Sequence, residues 1–207
     1  MQIVRVLLGC VIAYVIGSFS FSIVLSKFLF GGDVREGGSG NAGATNMGRR
    51  FGKTAGFLTL AMDALKTVLA MVIGNALAGD LGIVTAGFCC QLGHCFPAYY
   101  HFKGGKGVAV GLALAFAAGW QVGVSVLVAF AVTVAISRKV SLASLAAAAA
   151  GMLTVWFFNP DRRYCWMVMA AAAVIFLRHS ANIERLTQGK EADFHFADEK
   201  KSREEKP

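Results

Sequence analysis

The sequence is poor in charged residues, and its few cysteines show no pairing pattern. Charged residues make up 15% of the 207 residues, whereas soluble domains carry about 25%. Most of the chain must therefore face lipid rather than water. The five cysteines are scattered and form no CxxC pair, which argues against a disulfide framework and against a zinc site. We expect no bound metal.

The sequence also lacks the features of a nucleic-acid-binding protein. Its formal net charge is +8, but no segment combines basic residues with aromatic side chains on which bases could stack. In a membrane protein, an excess of lysine and arginine collects in the cytoplasmic loops. We therefore attribute the positive charge to membrane orientation and expect no nucleic-acid partner.

Long apolar segments are what the sequence has in abundance. Hydrophobic residues make up 56% of the chain, and the mean hydropathy is +0.59. Seven segments approach the thickness of the hydrocarbon core. They predict an all-α, seven-helix transmembrane bundle with helices at 4–25, 54–78, 81–99, 107–119, 121–136, 141–158 and 164–178. The break at Gly119 decides the number, because fusing the fourth and fifth segments would leave six spans.

The distribution of basic residues favours seven spans and sets the orientation. With seven spans, 16 lysines and arginines lie on one side and three on the other, while Lys66 lies inside a span. The positive-inside bias makes the richer side cytoplasmic. The polar loops and the C-terminus then share the cytoplasmic face. We divide the chain into one membrane domain, 1–190, and a charged cytoplasmic tail, 191–207, predicted to be disordered.

The first polar loop is rich in glycine and follows the first predicted helix. The backbone N–H groups of such a loop can hold an anion, and arginine binds phosphate through two parallel hydrogen bonds. Hydroxyl and amide side chains could fix the rest of a polyol phosphate. The candidate ligands are Gly38, Ser39, Gly40, Asn41, Thr45, Asn46 and Arg49. An ordinary turn followed by a helix N-cap is the alternative interpretation.

A second glycine-rich loop precedes the fourth predicted helix. Its candidate ligands are Lys103, Gly104, Gly105, Lys106 and Gly107. Phosphate held at the helix N-terminus, with the two lysines as point charges, would suit this pattern. The loop lacks the spacing of a nucleotide P-loop and the Ser or Thr that follows its lysine. A flexible, positive-inside loop is the alternative, and His94 just before it is interpreted as structural.

A third polar stretch follows the last predicted helix. His179 and Asn182 are three residues apart and would share one face if the helix continued, and Arg178 precedes them. Histidine is the natural proton acceptor near neutral pH. A histidine that caps the helix end is the alternative.

One charged pair lies within a predicted span. Asp63 and Lys66 are three residues apart, so their side chains can pair. Charges inside a membrane usually face the bundle interior. We interpret the pair as structural, with direct substrate contact as the alternative.

Together these stretches resemble the bacterial acyl-phosphate:glycerol-3-phosphate acyltransferase (PlsY) family. The matching segments are GSGNAGATNMGR at 38–49, GHCFPAYYHFKGGKGVA at 93–109, SRKVSLAS at 137–144 and RHSANIERLTQGKE at 178–191. Two positions depart from the family pattern: Ser20 stands where proline is common, and Lys139 where an aromatic residue is usual. The resemblance spans nearly the whole chain.

The resemblance implies a membrane enzyme of phospholipid synthesis. It would transfer a fatty acyl group from acyl phosphate to the 1-hydroxyl of glycerol 3-phosphate, which gives lysophosphatidic acid and phosphate. No cofactor is implied. The partners implied are the two substrates and the bilayer of the bacterial inner membrane, together with the enzyme that forms acyl phosphate.

The resemblance also assigns roles to the candidate residues. Ser39, Arg49, His179 and Asn182 would act in catalysis, and the other glycine-loop residues with Lys103, Lys106 and Arg178 would bind substrate. Either His179 or a substrate phosphate oxygen would accept the proton of the attacking hydroxyl.

Two other classes of protein were weighed against an enzyme. A transporter for an anionic metabolite would also use basic, glycine-rich breaks, but transporters place their sites near the midplane and often repeat their halves. No internal repeat is present here. A membrane scaffold would not explain so many phosphate-type ligands.

Overall fold

The computed structural model describes residues 1–197, and residues 198–207, the end of the predicted tail, lie outside the described residues. The predicted all-α class is confirmed, since the described residues form helices and connecting turns without any strand. The helices are α1 (Gln2–Ser18), α2 (Phe21–Phe30), α3 (Ala44–Phe51), α4 (Lys53–Cys95), α5 (Val108–Ala117), α6 (Trp120–Ser137), α7 (Val140–Phe158), α8 (Arg162–Arg178) and α9 (Ser180–Thr187).

Several of these helices are long and apolar enough to cross a membrane. Four stretches of the described chain qualify: Gln2–Phe30, Lys53–Tyr100, Trp120–Ser137 and Val140–Phe158. A fifth is added if α8 and α9, which meet at a bend of 61°, count as one broken span. The chain is therefore an integral membrane protein with several spans.

The first predicted helix is interrupted, which corrects the prediction of one helix over 4–25. Phe19 and Ser20 have extended backbone conformations between α1 and α2. The interruption includes Ser20. Lys66 donates hydrogen bonds to the carbonyl oxygens of Gly17 and Phe19 at 3.1 and 2.8 Å. Its ammonium group therefore satisfies carbonyls at the broken end of α1.

Helix α4 is a hairpin of two helical halves, at the positions of the second and third predicted helices. Its backbone leaves the helical conformation at Ala78 and Gly79, and the two halves then run back along each other. A Cβ atom on Gly74 would lie 2.3 Å from the carbonyl oxygen of Gly82. The absence of a side chain at Gly74 therefore permits backbone contact between the halves, as expected for helices packed within lipid.

The turns of three helical hairpins meet at one end of the molecule. The α4 hairpin turns at Gly79, α5 and α6 turn at Gly119, and α7 and α8 turn near Asn159. The side-chain amide of Asn159 donates to the Ala118 carbonyl at 2.6 Å, and Tyr164 contacts Asp80. All three turns therefore lie together, and the loops that precede and follow the hairpins lie at the opposite end.

The start of the predicted tail packs against the bundle. Glu191 is buried, Asp193 pairs with Lys139 at 2.8 Å, and the backbone N–H of Ala197 donates to the Gly48 carbonyl at 3.0 Å. The division at residue 190 stays a prediction, but residues 191–197 make specific contacts with the preceding domain.

Candidate active site

A cavity of about 350 Å³ opens at the end opposite the three hairpin turns. Residues from all three predicted polar stretches line it, together with the start of α7. Its polar lining consists mainly of Ser39, Asn41, Thr45, Arg49, Lys106, Ser141, His179, Asn182 and Glu191. Polar stretches that are spread over more than 100 residues of the sequence therefore converge on one space.

Four helices, α3, α5, α7 and α9, begin at this cavity. Their first turns contribute the lining residues Ala44, Thr45, Val108, Ala109, Val140, Ser141 and Asn182. The first N–H groups of a helix have no intrahelical partner, and the helix dipole adds positive potential there. Four such ends around one space favour an anionic ligand such as phosphate.

The first loop takes its shape from Asn46. Its side-chain oxygen accepts from the backbone N–H of Ser39 at 3.0 Å, and its amide nitrogen contacts the carbonyls of Val34, Gly37 and Asn41 at 2.8 to 3.1 Å. Asn46 is 1% exposed. Its side chain therefore holds the loop closed, and Asn46 lines the cavity together with Ser39, Asn41 and Thr45.

Two cations, Arg49 and Lys106, line the polar end of the cavity. No carboxylate among residues 1–197 pairs with the Arg49 guanidinium, which lies 5.6 Å from the centre of the Phe194 ring. Burial lowers the pKa of Lys106 to about 8; Glu191 opposes this shift, and the positive charges of Arg185, Arg49 and Arg178 add to it. The site thus concentrates positive charge on side chains that a bound anion could neutralise.

The second loop packs against His94. A Cβ atom on Gly104 would lie 2.2 Å from the His94 carbonyl oxygen, and one on Gly105 would lie 2.2 Å from His94 Nε2. The N–H of Gly105 donates to that carbonyl at 3.1 Å. Arg178 donates to the carbonyls of Gly104 and Gly105, both at 3.2 Å. His94 and Arg178 thus fix the loop that presents Lys106. Gly104, Gly105 and Arg178 do not line the cavity.

The third stretch contributes His179 and Asn182 on either side of a helix break. The chain bends at His179, so α8 does not continue as one helix, yet both side chains still line the cavity. His179 Nδ1 lies 2.8 Å from the Ile175 carbonyl oxygen, and a carbonyl can only accept. Nδ1 therefore carries the hydrogen, and Nε2 is the basic nitrogen of the neutral ring.

Asn182 lies between a lysine and a glutamate. Its side-chain oxygen accepts from Lys106, and its side-chain nitrogen donates to Glu191 at 2.7 Å. Arg185 donates to the other oxygen of Glu191, also at 2.7 Å. Burial raises the pKa of the Glu191 carboxyl, but the neighbouring Ser141, Arg185 and Asn182 outweigh that effect and lower it. Glu191 therefore stays ionised and orients Asn182.

The buried pair inside α4 forms as the sequence predicts. The Lys66 ammonium lies 2.8 Å from the Asp63 carboxylate, and the two side chains are 3% and 2% exposed. His94 Nδ1 lies 3.1 Å from the Lys66 ammonium. This cluster joins the two halves of α4 and the broken end of α1. Asp63 and His94 also reach the cavity wall. For Asp63, direct substrate contact is the alternative interpretation that the sequence offers, whereas His94 is predicted to be structural.

The rest of the cavity is lined by apolar side chains from the spans. They are Phe57 and Leu60 of α4, Leu112 of α5, Val126, Leu127 and Phe130 of α6, and Ala147 of α7. The cavity thus has a cationic polar end and an apolar side, which suits an amphiphilic ligand with a phosphate at one end.

The structure separates the predicted site residues into two groups. Ser39, Asn41, Thr45, Asn46, Arg49, Lys106, Gly107, His179 and Asn182 line the cavity, whereas Gly38, Gly40, Lys103, Gly104, Gly105 and Arg178 do not. Lys103 is exposed. The sequence analysis missed Glu191 and Ser141. Both lie in segments that resemble the family, which was the available signal.

The chain is similar to known proteins along most of its length. The family model described as glycerol-3-phosphate acyltransferase matches residues 7–189. A glycerol-3-phosphate acyltransferase of Jannaschia sp. (strain CCS1) is 42% identical over 89% of this chain and 90% of its own. One from Cereibacter sphaeroides (strain ATCC 17025 / ATH 2.4.3) is 36% identical over 91% of this chain and 90% of its own.

Solved structures are similar over the same extent. The crystal structure of PlsY (YgiH), an integral membrane glycerol 3-phosphate acyltransferase, in its glycerol 3-phosphate form has a TM-score of 0.84 and 34% identity. The similarity covers 92% of this chain and 96% of that one. The lysophosphatidic acid form of PlsY has the same TM-score and 33% identity, over 92% of this chain and 95% of that one.

Proposed function

Because the chain belongs to the glycerol-3-phosphate acyltransferase family, we propose that it transfers a fatty acyl group from acyl phosphate to the sn-1 hydroxyl of glycerol 3-phosphate. The products are lysophosphatidic acid and inorganic phosphate. The observation that carries the proposal is a cavity whose cationic end adjoins an apolar side. In this proposal the cationic end receives the two phosphate groups, and the apolar side receives the acyl chain.

The reaction requires no covalent intermediate on the enzyme. The sn-1 hydroxyl oxygen attacks the carbonyl carbon of acyl phosphate, the bond from that carbon to the phosphate oxygen breaks, and phosphate leaves with the electron pair. Acyl phosphate is a mixed anhydride with a good leaving group. The enzyme therefore has to hold the two substrates together and remove one proton.

Arg49 and Lys106 neutralise much of the substrate charge in this proposal. Two phosphate groups bring about four negative charges near neutral pH. Arg49 is unpaired among the described acidic residues and binds the phosphate of glycerol 3-phosphate, with Ser39, Asn41 and Thr45 around the polyol. Lys106 and the N-terminus of α5 hold the phosphate of the acyl donor. The acyl chain lies along Phe57, Leu112 and their apolar neighbours.

His179 takes the proton of the attacking hydroxyl in this proposal. The hydrogen bond from Nδ1 to the Ile175 carbonyl leaves Nε2 free to accept. A phosphate oxygen of either substrate is the alternative acceptor. Removing the imidazole distinguishes the two, because a substrate-assisted reaction would retain most of its rate.

The proposed topology has seven spans with the site on the cytoplasmic face of the inner membrane. The cavity is bordered by loops that precede and follow three hairpins, so each hairpin crosses twice and α1 with α2 supplies the seventh span. Helix α5 has 10 residues, about 15 Å at 1.5 Å per residue, which is half of the hydrocarbon thickness. The second loop therefore dips into the membrane to reach it.

The decisive experiment uses purified protein in detergent. Acyl phosphate and glycerol 3-phosphate should give lysophosphatidic acid and phosphate in equal amounts, while acyl-CoA and acyl carrier protein thioesters should give neither. Turnover without a sealed compartment excludes transport as the explanation. Acyl transfer from a thioester alone would overturn the choice of donor, and esterification at the second hydroxyl would overturn the choice of position.

A further inference from the structure

A segment that follows the residues matched by the family model contacts the site. The family model ends at residue 189, yet residues 191–197 cross the polar end of the molecule. We call this segment the strap. Its first residue, Glu191, binds Asn182, and its last residue, Ala197, donates to the Gly48 carbonyl at 3.0 Å. The strap thus joins α9 to α3.

Two contacts fix the middle of the strap to the loop between α6 and α7. Asp193 pairs with Lys139 at 2.8 Å, and the backbone N–H of Phe194 donates to the Arg138 carbonyl at 2.9 Å. A segment held at three places along seven residues has a defined path. The ring of Phe194 is therefore placed by backbone contacts as well as by its own packing.

The Phe194 ring lies beside the guanidinium of Arg49. The guanidinium carbon is 5.6 Å from the ring centre, within the range of a cation–π interaction. No carboxylate among residues 1–197 pairs with Arg49, whose guanidinium instead contacts the Phe194 ring. An aromatic ring orients a guanidinium without neutralising it and leaves its N–H groups for a phosphate.

The ring of Phe196 packs against the ring of Phe194. Its ring centre lies 4.7 Å from that of Phe194 and 6.1 Å from that of Phe57. A Cβ atom on Gly48 would lie 3.1 Å from the Phe196 ring, so glycine at this position of α3 allows the ring to approach. Aromatic rings of the strap and of the first half of α4 therefore pack together beside α3, the helix that carries Arg49.

From these contacts we infer that Phe194 is a positioning residue that holds Arg49 ready for the phosphate of glycerol 3-phosphate. This inference rests on the proposed function for the identity of the ligand. A free arginine loses side-chain freedom when it binds, and pre-orienting it reduces that loss. Removing the ring should therefore weaken glycerol 3-phosphate binding and leave acyl-phosphate binding unchanged.

The test compares three substitutions in the purified, full-length chain. Phe194→Leu keeps an apolar side chain but removes the ring, and it should raise the KM for glycerol 3-phosphate by roughly 3- to 30-fold. Phe194→Tyr keeps the ring and should stay within about twofold of the wild type. His195→Ala changes an exposed neighbour in the strap and should have no effect. Equal increases in both KM values, or unchanged kinetics in Phe194→Leu, would overturn the inference.

A double-substitution cycle tests whether Phe194 acts through Arg49. In an Arg49→Ala background, Phe194→Leu should add no further increase in the KM for glycerol 3-phosphate. Additive effects would contradict the positioning role.

Calorimetric binding of glycerol 3-phosphate to the same variants separates this inference from the proposed function. If the wild type binds glycerol 3-phosphate but transfers no acyl group from acyl phosphate, the proposed donor is wrong. In that case the inference is still supported if Phe194→Leu is the one variant that binds glycerol 3-phosphate more weakly than the wild type. If all variants bind glycerol 3-phosphate equally, or none binds it, the inference is refuted.

Discussion

Lys106 donates a hydrogen bond to the side-chain oxygen of Asn182, 76 residues away in the sequence. The two belong to different polar stretches, so this contact joins the second loop to α9. Asn182 is held on its other side by the buried carboxylate of Glu191. A neutral amide therefore positions the ammonium group without cancelling its charge, which remains available to a phosphate.

Replacing that amide with a carboxylate should weaken substrate binding. Asn182→Asp places a second negative charge between Lys106 and Glu191, where it competes with the substrate phosphate. We expect kcat/KM for acyl phosphate to fall by about 10- to 100-fold, the effect of one hydrogen bond to a charged group. Gln188→Glu adds the same charge at the exposed end of α9 and serves as control. Equal kinetics in the two variants would exclude Asn182 from the site.

His179→Ala should separate the two possible proton acceptors. If Nε2 takes the proton, kcat should fall by about 10²- to 10⁴-fold, with the yield of folded protein in membranes unchanged. The measurement is the initial rate of phosphate release at saturating concentrations of both substrates. A kcat within a few-fold of the wild type would assign the proton to a substrate phosphate instead.

The positions of the apolar helices could be predicted because long uncharged runs mark them in the sequence. The predicted helices at 121–136, 141–158 and 164–178 agree with α6, α7 and α8 to within about two residues at most ends. The break between α1 and α2 could not be predicted in this way. It depends on Lys66, 47 residues from Phe19, which donates hydrogen bonds to the carbonyls that the break exposes.

The roles of the loop residues were harder to predict than their location. Gly104 and Gly105 have the composition of a phosphate loop, but they are small because His94 lies against them. The mixed positive and negative charges of the C-terminal segment predict a solvated tail that begins at Glu191. The burial of Glu191 follows from Asn182 and Arg185, contacts that no local pattern contains.

Gly105→Val should disturb the second loop through steric conflict. Its Cβ would lie 2.2 Å from His94 Nε2 and 2.7 Å from the Ala42 carbonyl oxygen. Overpacking of this kind costs about 1–3 kcal/mol, so the melting temperature in detergent and the kcat/KM for acyl phosphate should both fall. Gly32→Ala, where a Cβ meets nothing within 4 Å, is the matched control. Normal stability and kinetics in Gly105→Val would show that the loop can move aside.

Breaking the Asp63–Lys66 pair should destabilise the α4 hairpin. Lys66→Met leaves the Asp63 carboxylate, which is 2% exposed, without a cation. Leaving one buried charge unpaired costs about 3–5 kcal/mol, measured as a loss of thermal stability in detergent. The double variant Asp63→Asn with Lys66→Met should recover most of this loss. A double variant as unstable as Lys66→Met would show that the carbonyl contacts of Lys66, and not the ion pair, stabilise the hairpin.

The acyl-transfer rate should fall in alkaline solution because Lys106 loses its charge there. Burial lowers the pKa of Lys106 to about 8; Glu191 opposes that shift, while Arg185, Arg49 and Arg178 reinforce it. The ammonium is charged below that pH and neutral above it, whereas the phosphate of glycerol 3-phosphate, with a second pKa near 6, stays fully ionised. The kcat/KM profile, which reports groups of the free enzyme, should therefore decline above about pH 8.

Arginine keeps its charge to far higher pH, so Lys106→Arg should shift this decline upward even if its maximum rate is lower. Initial rates are corrected for spontaneous hydrolysis of acyl phosphate at each pH. A decline at the same pH in Lys106→Arg would assign it to another group.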